Sequence, residues 1–221
     1  MPPPIIKSFS FSQDRILQDI MTLYTGDIQV DATFGSGCFY KRFKRPEFCF
    51  DLSPKKDGVI QADCCNLPLD NNSVRTLMFD PPFLARTGPG AIMKSRFGEL
   101  VGTIEDLHNF YFLSLREFHR VLATGGWLVF KCQDGVLSGV NNNTYVKICN
   151  MAESLGLSWI DMFIILAKRR MTHPKQKVQR HARKFHSYFV IFKKKGKLPA
   201  NLEQPKLNIE LPPKKQIGLV L

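Results

Sequence analysis

The chain has 221 residues, 44% of them hydrophobic, and a formal net charge of +12 at pH 7. This length predicts one sizeable α/β domain with a real apolar core, and it is too short for two ordinary domains. The sequence contains neither a run of about 18 uncharged apolar residues nor a basic start followed by an apolar stretch. We therefore expect no membrane span and no signal peptide, and hence a cytoplasmic protein.

The N-terminal half predicts a helix followed by four short strands. Residues 1–10 contain Pro and Ser and are expected to be irregular. A helix is predicted over 12–24, with Ser12 as its N-cap and Gly26 after its end. Its predicted apolar face comprises Ile16, Leu17, Ile20 and Leu23. Strands are predicted over 28–31, 48–51, 59–63 and 75–80, with a further helix directly after Gly37.

The C-terminal half predicts two helices and three strands. Residues 84–103 are rich in Gly, Ser and Thr, and we predict a long mobile loop there. The helices are predicted over 105–122 and 144–155, and the strands over 127–131, 159–167 and 187–192. Phe185, Tyr188 and Phe189 are interpreted as core residues. Residues 197–221 carry several Pro and Lys and are expected to form a loosely attached tail.

Strands that alternate with helices predict a parallel sheet with helices on both faces, in a single domain over residues 1–196. Ligands of such sheets sit beyond the carboxyl ends of the strands. Asp31, Asp51, Asp63 and Asp80 all stand at the ends of predicted strands. We therefore expect these four carboxylates at one edge of the sheet, beside a ligand.

The positive charge is concentrated in one segment. Residues 168–197 contain twelve Lys or Arg and no Asp or Glu, so this segment accounts for the whole excess. A one-sided basic block favours a phosphate backbone or another polyanion as partner, whereas a diffuse excess would suit solubility alone. We expect residues 168–186 to form a basic insertion that faces nucleic acid.

The six cysteines predict neither a metal cluster nor a disulfide framework. No two of them form a C-x-x-C pair, so a zinc cluster is not expected, and we predict no metal. Disulfides persist mainly in secreted proteins, and we expect no secretion signal here. The spacing therefore favours reduced and mostly buried thiols.

Two glycines after the first predicted strand indicate a ligand-binding turn, in the pattern Asp31-x-x-x-Gly35-x-Gly37. Glycine lets the backbone turn tightly and approach a ligand, but the third glycine of a dinucleotide fingerprint is missing. Asp51, at the end of the next strand, suits the two ribose hydroxyls of a nucleoside. Asp63 suits an adenine amino group, and Asp31 suits the cationic end of a cofactor. Each acid taken alone is equally consistent with a helix N-cap or a turn.

The segment Asp80-Pro81-Pro82-Phe83 follows an apolar strand and is the most telling motif of the chain. Two prolines remove two backbone donors and stiffen the turn, while their carbonyls are expected to stay free as acceptors beside the Asp80 carboxylate. An aromatic ring completes the set. This combination suits a planar base that carries an amino group, with Phe83 stacked on the ring.

Both motifs resemble those of class I methyltransferases that act on base amino groups. The stretches 131–134 (Lys-Cys-Gln-Asp) and 181–189 resemble the small, solitary DNA methylases common in phages and prophages. The resemblance covers roughly residues 9–193. It implies a seven-stranded, mostly parallel Rossmann-like sheet with an antiparallel last strand, and S-adenosylmethionine as cofactor. Residues 9–11 correspond loosely to a segment that the family packs on the cofactor.

The resemblance also implies site residues. The catalytic set would be Asp80, Pro81, Pro82 and Phe83. The cofactor set would be Asp31, Thr33, Phe34, Gly35, Gly37, Asp51, Leu52, Asp63 and Cys64. Asp at 80 and an aromatic residue at 83 are frequent in adenine enzymes of the family, so N6 of adenine is the predicted target. The family's long target-recognition domain is missing, so sequence specificity must come from short elements or be low.

A base within a duplex cannot reach such a pocket, so the target must be flipped out or supplied single-stranded. The expected nucleic-acid contacts are Arg86, Lys94, Arg96, Arg169, Arg170, Lys175, Lys177, Arg180, Arg183 and Lys184. We expect DNA as the partner and a monomer or weak dimer, located in the host cytoplasm if the protein is phage-encoded. An RNA base methyltransferase, or a nucleic-acid binder that has lost catalysis, remains an alternative.

Overall fold

The structure is a computed structural model, which describes residues 5–83, 103–137, 139–169, 178–179 and 181–196. Within these ranges, no helix combines the length and hydropathy needed to cross a bilayer.

The described chain contains ten strands and three α-helices. The strands are β1 (Phe9–Ser10), β2 (Val30–Asp31), β3 (Phe48–Asp51), β4 (Ile60–Gln61), β5 (Val74–Phe79), β6 (Leu122–Cys132), β7 (Gly135–Leu137), β8 (Val140–Asn142), β9 (Leu157–Leu166) and β10 (His186–Lys194). The α-helices are α1 (Gln13–Ile20), α2 (Ile104–Val121) and α3 (Thr144–Ser154), and a π-helix over Met21–Thr25 continues α1. Of these strands, β7 and β8 pair only with each other.

The other eight strands of the described chain form one sheet in the order β1-β9-β10-β6-β5-β2-β3-β4. From β4 to β6 every pairing is parallel, whereas β10 runs antiparallel to both β6 and β9. The predicted class I fold, with its antiparallel last strand, is confirmed. The seven predicted strands are present, and β1 is an eighth, formed within residues expected to be irregular. It pairs in parallel with β9, with Phe9 opposite Ile164.

Alternate residues of the central strands enter two separate cores. Leu77 and Phe79 of β5 pack on one face of the sheet with α2 and α3. Met78 packs on the other face, with α1. The same alternation occurs in β6, where Phe130 faces the first core and Val129 the second. The sheet is therefore the middle of three layers, and its strand ends are left open to ligands.

Three local predictions were wrong. Instead of a full helix after Gly37, only a short 3-10 turn forms, because Pro46 disfavours helical backbone at the residue before it and β3 begins two residues later. Leu23 is exposed, because the π-helix turns it away from the apolar face of α1. Phe185 is exposed as well, because it stands at the end of the sheet, where its carbonyl accepts the Ala167 amide.

Candidate active site

A cavity of about 460 Å³ opens at the carboxyl ends of the parallel strands. Its walls come from four places: the loop over 33–39 after β2, the end of β3 with the loop after it, the turn over 80–83 after β5, and Lys131 of β6. Cavities of about 300–1,000 Å³ hold drug-sized ligands. The cavity thus unites the glycine turn and the Asp-Pro-Pro-Phe turn, which are separated by more than 40 residues in the sequence.

The glycine turn depends on Gly37. Its φ is +68°, and a Cβ built there would lie 2.6 Å from the ring of Phe34. That ring stacks on Tyr40, with centroids 5.6 Å apart, and the Arg45 guanidinium lies 4.9 Å from its centroid. Gly35 also has a positive φ, of +55°, but a Cβ there would meet nothing closer than 3.9 Å. Only Gly37 is therefore required by close packing as well as by backbone conformation.

Asp31 stabilises the glycine turn through two hydrogen bonds. Its side chain is fully buried and accepts hydrogen bonds from the Thr33 amide at 2.9 Å and the Tyr40 hydroxyl at 2.8 Å. Burial raises the pKa of Asp31 to about 7, against the lowering effect of these two hydrogen bonds. Asp31 does not line the cavity. It fixes the backbone of the turn, and the structure does not bring it to the cavity wall expected from the sequence.

Asp51 joins the glycine turn to β3. One carboxylate oxygen accepts the Gly35 amide at 2.9 Å, and the other accepts the Ser53 amide at 2.8 Å. Each carboxylate oxygen offers a second lone pair, so the group can accept further hydrogen bonds. Because Asp51 also lines the cavity, it is placed to contact a ligand directly.

Leu52, Asp63 and Cys64 do not line the cavity, nor does Gly37. Leu52 is exposed, whereas Cys64 is buried in the core beside α2. Asp63 accepts the Cys65 amide at 2.8 Å. In the described chain, Asp63, Cys64 and Cys65 form a group whose possible ligand atoms lie within 4.8 Å of one another. The two thiols also contact the Ser114 hydroxyl, at 3.6 and 3.4 Å.

The turn over residues 80–83 is held by hydrogen bonds from two sides. The Asp80 amide donates to the Thr33 hydroxyl at 2.9 Å, which ties this turn to the glycine turn. The Tyr111 hydroxyl of α2 donates to the Pro82 carbonyl at 2.5 Å. The expectation that both proline carbonyls stay free was therefore wrong for Pro82, because α2 packs directly beneath it. Asp80, Pro81, Pro82 and Phe83 all line the cavity.

Lys131 is a site residue whose role the sequence did not indicate, although it begins the stretch 131–134 that resembles small DNA methylases. Its ammonium lies 3.3 Å from a carboxylate oxygen of Asp80 and 3.3 Å from the side-chain oxygen of Gln13. The side chain is only 12% exposed. Three aromatic rings surround the ammonium, with centroids at 4.9, 5.5 and 5.5 Å for Phe39, Phe83 and Phe189. A cation in such surroundings fixes both the carboxylate and the rings that it contacts.

Three of the expected nucleic-acid contacts are described. Arg169 is exposed just after β9, and Arg183 and Lys184 are half-buried just before β10. Because β10 runs antiparallel to β6, these residues stand at the end of the sheet where β6 carries Lys131. The other expected contacts lie outside the described residues: Arg86, Lys94, Arg96, Arg170, Lys175, Lys177 and Arg180.

No model of a known family matches this chain, and no curated protein matches it. Solved structures do. A Burkholderia thailandensis 1,6-didemethyltoxoflavin-N1-methyltransferase, solved with its substrate and S-adenosylhomocysteine, matches with a TM-score of 0.51 and 12% identity over 84% of this chain and 80% of that one. The [4+2]-cyclase SpnF matches with a TM-score of 0.50 and 13% identity over 81% and 80% of the two chains.

A Thermus thermophilus protein, provisionally named a DNA modification methylase and solved with S-adenosylmethionine, matches less well. Its TM-score is 0.40 and its identity 18%, over 62% of this chain. This chain spans about half of that protein's length, 51%. Because all these identities are low and one good match is a cyclase, the likenesses concern architecture and leave the reaction open. The chain has the class I methyltransferase fold.

Proposed function

We propose that this chain transfers the methyl group of S-adenosylmethionine to the exocyclic amino group of a DNA base, N6 of adenine. One observation carries the proposal: the Asp80 carboxylate and the Phe83 ring line the same cavity as the glycine turn and Asp51. An acceptor and a stacking ring for a planar amine therefore stand beside acceptors and backbone that suit a nucleoside cofactor.

The cavity residues fit the proposed cofactor. Its volume, about 460 Å³, is in the range of small-molecule sites. The backbone over 33–36 would hold the amino-acid part of the cofactor, and Asp51 would accept hydrogen bonds from the ribose hydroxyls. When bound, the cofactor supplies an electrophilic methyl group on a sulfonium. Asp31 would act through the turn that it supports, since it does not reach the cavity.

Asp80 and Phe83 would prepare the amine. An exocyclic amino group is a poor nucleophile, because its lone pair is delocalised into the ring. A hydrogen bond from this amino group to Asp80 would favour a more tetrahedral nitrogen, while Phe83 would hold the base plane by stacking. Methyl transfer would leave the cofactor as a neutral thioether, and the proton that the nitrogen loses would pass along its hydrogen bond to the Asp80 carboxylate. Positioning supplies much of the rate gain in such a transfer.

Lys131 would act as a positioning residue. Its contact with Asp80, at 3.3 Å, orients the carboxylate, and its position 5.5 Å from the Phe83 ring restrains that ring. Tyr111 restrains the same turn through the Pro82 carbonyl. The acceptor and the stacking ring are thus held before a base arrives, which is the preorganisation that rapid transfer requires.

The basic segment supports a nucleic acid as the source of the amine. Arg169, Arg183 and Lys184 stand at the same end of the sheet as Lys131, where phosphates beside a bound base would lie. We choose DNA and adenine on the resemblance of the two motifs to amino-methylating DNA enzymes.

The test is methyl transfer from labelled cofactor to separate pools of DNA and RNA, followed by nucleoside analysis. We expect label in DNA as N6-methyladenine. Transfer to RNA alone would reject DNA as the substrate and make the chain an RNA base methyltransferase. Transfer to neither pool, with nucleic-acid binding retained, would identify a binder without catalysis.

A further inference from the structure

Residues 9–11, which the resemblance would place on the cofactor, do not line the cavity. Phe9 and Phe11 also lie outside both cores. Phe9 is 50% exposed and Phe11 is 58% exposed, although Ile6 and Ile16 close to them pack in the core of one sheet face. Large aromatic side chains that remain exposed together mark surfaces that bind a partner more often than they mark packing.

A cation accompanies these rings. The ammonium of Lys168 lies 6.0 Å from the ring centroid of Phe11. Lys168 and Arg169, which lie just after β9, are both exposed. We call this surface the edge platform; it comprises Phe9, Phe11, Lys168 and Arg169. Exposed rings beside cations are the combination that proteins use for single-stranded nucleic acid.

The charge of the surrounding sequence suits the same partner. Residues 1–13 contain no Asp or Glu, and residues 168–197 contain none either. Both segments that supply the edge platform are therefore free of acidic side chains, so phosphates would meet no repulsion from them.

The edge platform is close to the proposed reaction site. Gln13, two residues after Phe11, accepts a hydrogen bond from Lys131, which pairs with Asp80. In the sheet, β1 lies four strands from β5, which is about 19 Å at ~4.8 Å per strand. About six nucleotides of a stacked strand, at a rise of ~3.4 Å each, cover that distance.

We propose that the edge platform binds unpaired nucleotides that flank the methylated base. Their bases stack on Phe11 and Phe9, and their phosphates contact Lys168 and Arg169. This inference rests on the proposed function, because it takes a nucleic acid as the substrate. The bases of an intact duplex stack on one another and offer no face to Phe11, so the substrate strand is unpaired beside the target.

The test compares binding of one oligonucleotide, single-stranded and as a duplex, by wild-type protein and by Phe11→Ala, Phe11→Leu and Phe11→Trp. Leucine keeps the apolar bulk without an aromatic face, and tryptophan keeps the face. We expect Ala and Leu to weaken single-strand binding about 5- to 150-fold, as base–aromatic stacking energies imply, and Trp to retain it. Duplex binding should change less than about 2-fold, because it does not use the ring face.

Two further variants test the proposed phosphate contact and serve as a control for the Phe11 substitutions. Lys168→Gln should lower the salt slope of single-strand binding by about 0.7, the effect of one lost phosphate contact. Ile60→Ala is the matched control, because Ile60 is an exposed apolar residue on β4 at the opposite edge of the sheet. This control should bind like wild type, and thermal unfolding of each variant checks that it is folded.

Wild-type affinity in Phe11→Leu, or an equal loss for single strand and duplex, would overturn the edge platform. Methyl transfer by the wild type is measured in parallel. Normal transfer with unaffected binding in Phe11→Leu would reject the platform and leave the proposed function standing. A wild type that methylates no nucleic acid, but whose single-strand binding depends on Phe11, would reject the proposed function and leave the platform standing.

Discussion

The contact between Lys131 and Asp80 is the residue-scale feature on which the proposed mechanism depends most. Both side chains are largely buried at the cavity, 3.3 Å apart, and the Lys131 ammonium is also 5.5 Å from the Phe83 ring. Loss of the contact between Lys131 and Asp80 would leave the Asp80 carboxylate and the Phe83 ring in place, but their orientation would no longer be fixed. Small displacements of reacting groups carry large rate penalties.

Lys131→Met should therefore lower kcat about 10- to 100-fold while the Kd of the cofactor changes less than about 3-fold, because the variant disturbs positioning alone. Lys131→Arg, which keeps the charge, should recover a large part of the rate. Steady-state transfer kinetics and calorimetric cofactor binding measure both quantities, and the melting temperature serves as a check on folding. An unchanged kcat in Lys131→Met would remove Lys131 from the mechanism.

The raised pKa of Asp31 predicts an unusual pH dependence of the free energy of unfolding. Burial raises its pKa from 3.8 to about 7 in the folded chain. Between about pH 4 and pH 7 the folded chain therefore keeps a proton that the unfolded chain has released. The contribution of Asp31 to the free energy of unfolding falls as the pH rises through this window, by at most about 1.4 kcal/mol per pH unit.

Asp31→Asn removes this titration while keeping an acceptor for the Thr33 amide. We expect the difference in unfolding free energy between wild type and variant to shift in favour of the variant as the pH rises from 4 to 7. Urea titrations at several pH values measure it. Parallel pH curves for the two proteins would show that Asp31 does not titrate in this window.

At the scale of elements, the glycine turn couples backbone conformation to packing. Gly35 and Gly37 both have positive φ, but only at Gly37 would a Cβ overlap the Phe34 ring, at 2.6 Å. Each substitution by alanine costs about 1–2 kcal/mol for the left-handed conformation. Gly37→Ala additionally forces the stacked Phe34 ring to move, and overpacking of this kind costs about 1–3 kcal/mol more.

We therefore expect Gly37→Ala to lower the free energy of unfolding by more than Gly35→Ala, which is the matched control for the backbone effect. Denaturant unfolding of the two variants gives the comparison. Equal losses of unfolding free energy in the two variants would mean that the Phe34 ring can move aside at no energetic cost.

Several elements could be predicted from the sequence, because their signals are local. The strands before Asp31, Asp51 and Asp80 follow from short apolar runs, and the start of α1 follows from Ser12, whose hydroxyl accepts the Arg15 amide. The role of Lys131 could not be read this way. It depends on the pairing of β5 with β6, which sets Phe79 opposite Phe130 and so brings Asp80 beside Lys131.

Edge strands and strand ends were harder to predict, for a similar reason. The pairing of β1 with β9 joins segments about 150 residues apart, and no pattern within residues 1–10 specifies it. Phe185 has the apolar character of a core residue, but its place at the end of the sheet leaves it exposed. Burial at such positions is decided by topology, which local apolar character does not reveal.

At the scale of the whole molecule, the sheet order places the candidate active site and the described part of the basic segment at the same end of the sheet. The parallel strands β2, β3, β5 and β6 end at the cavity, and the antiparallel β10 begins at the same end of the sheet. The fold alone does not specify a reaction, since a methyltransferase and a [4+2]-cyclase match it about equally well. The proposed activity therefore rests on Asp80 and its neighbours.

The most direct measurement is transfer of label from S-adenosylmethionine to DNA by the wild type and by Asp80→Ala, with the cofactor Kd determined for both. Asp57→Ala, which removes an exposed acid outside the cavity, is the control. We predict N6-methyladenine from the wild type and the control. In Asp80→Ala the rate should fall about 100- to 1,000-fold, the usual cost of losing a key stabilising group, with nearly unchanged cofactor binding. Substantial transfer by Asp80→Ala would contradict the proposed mechanism.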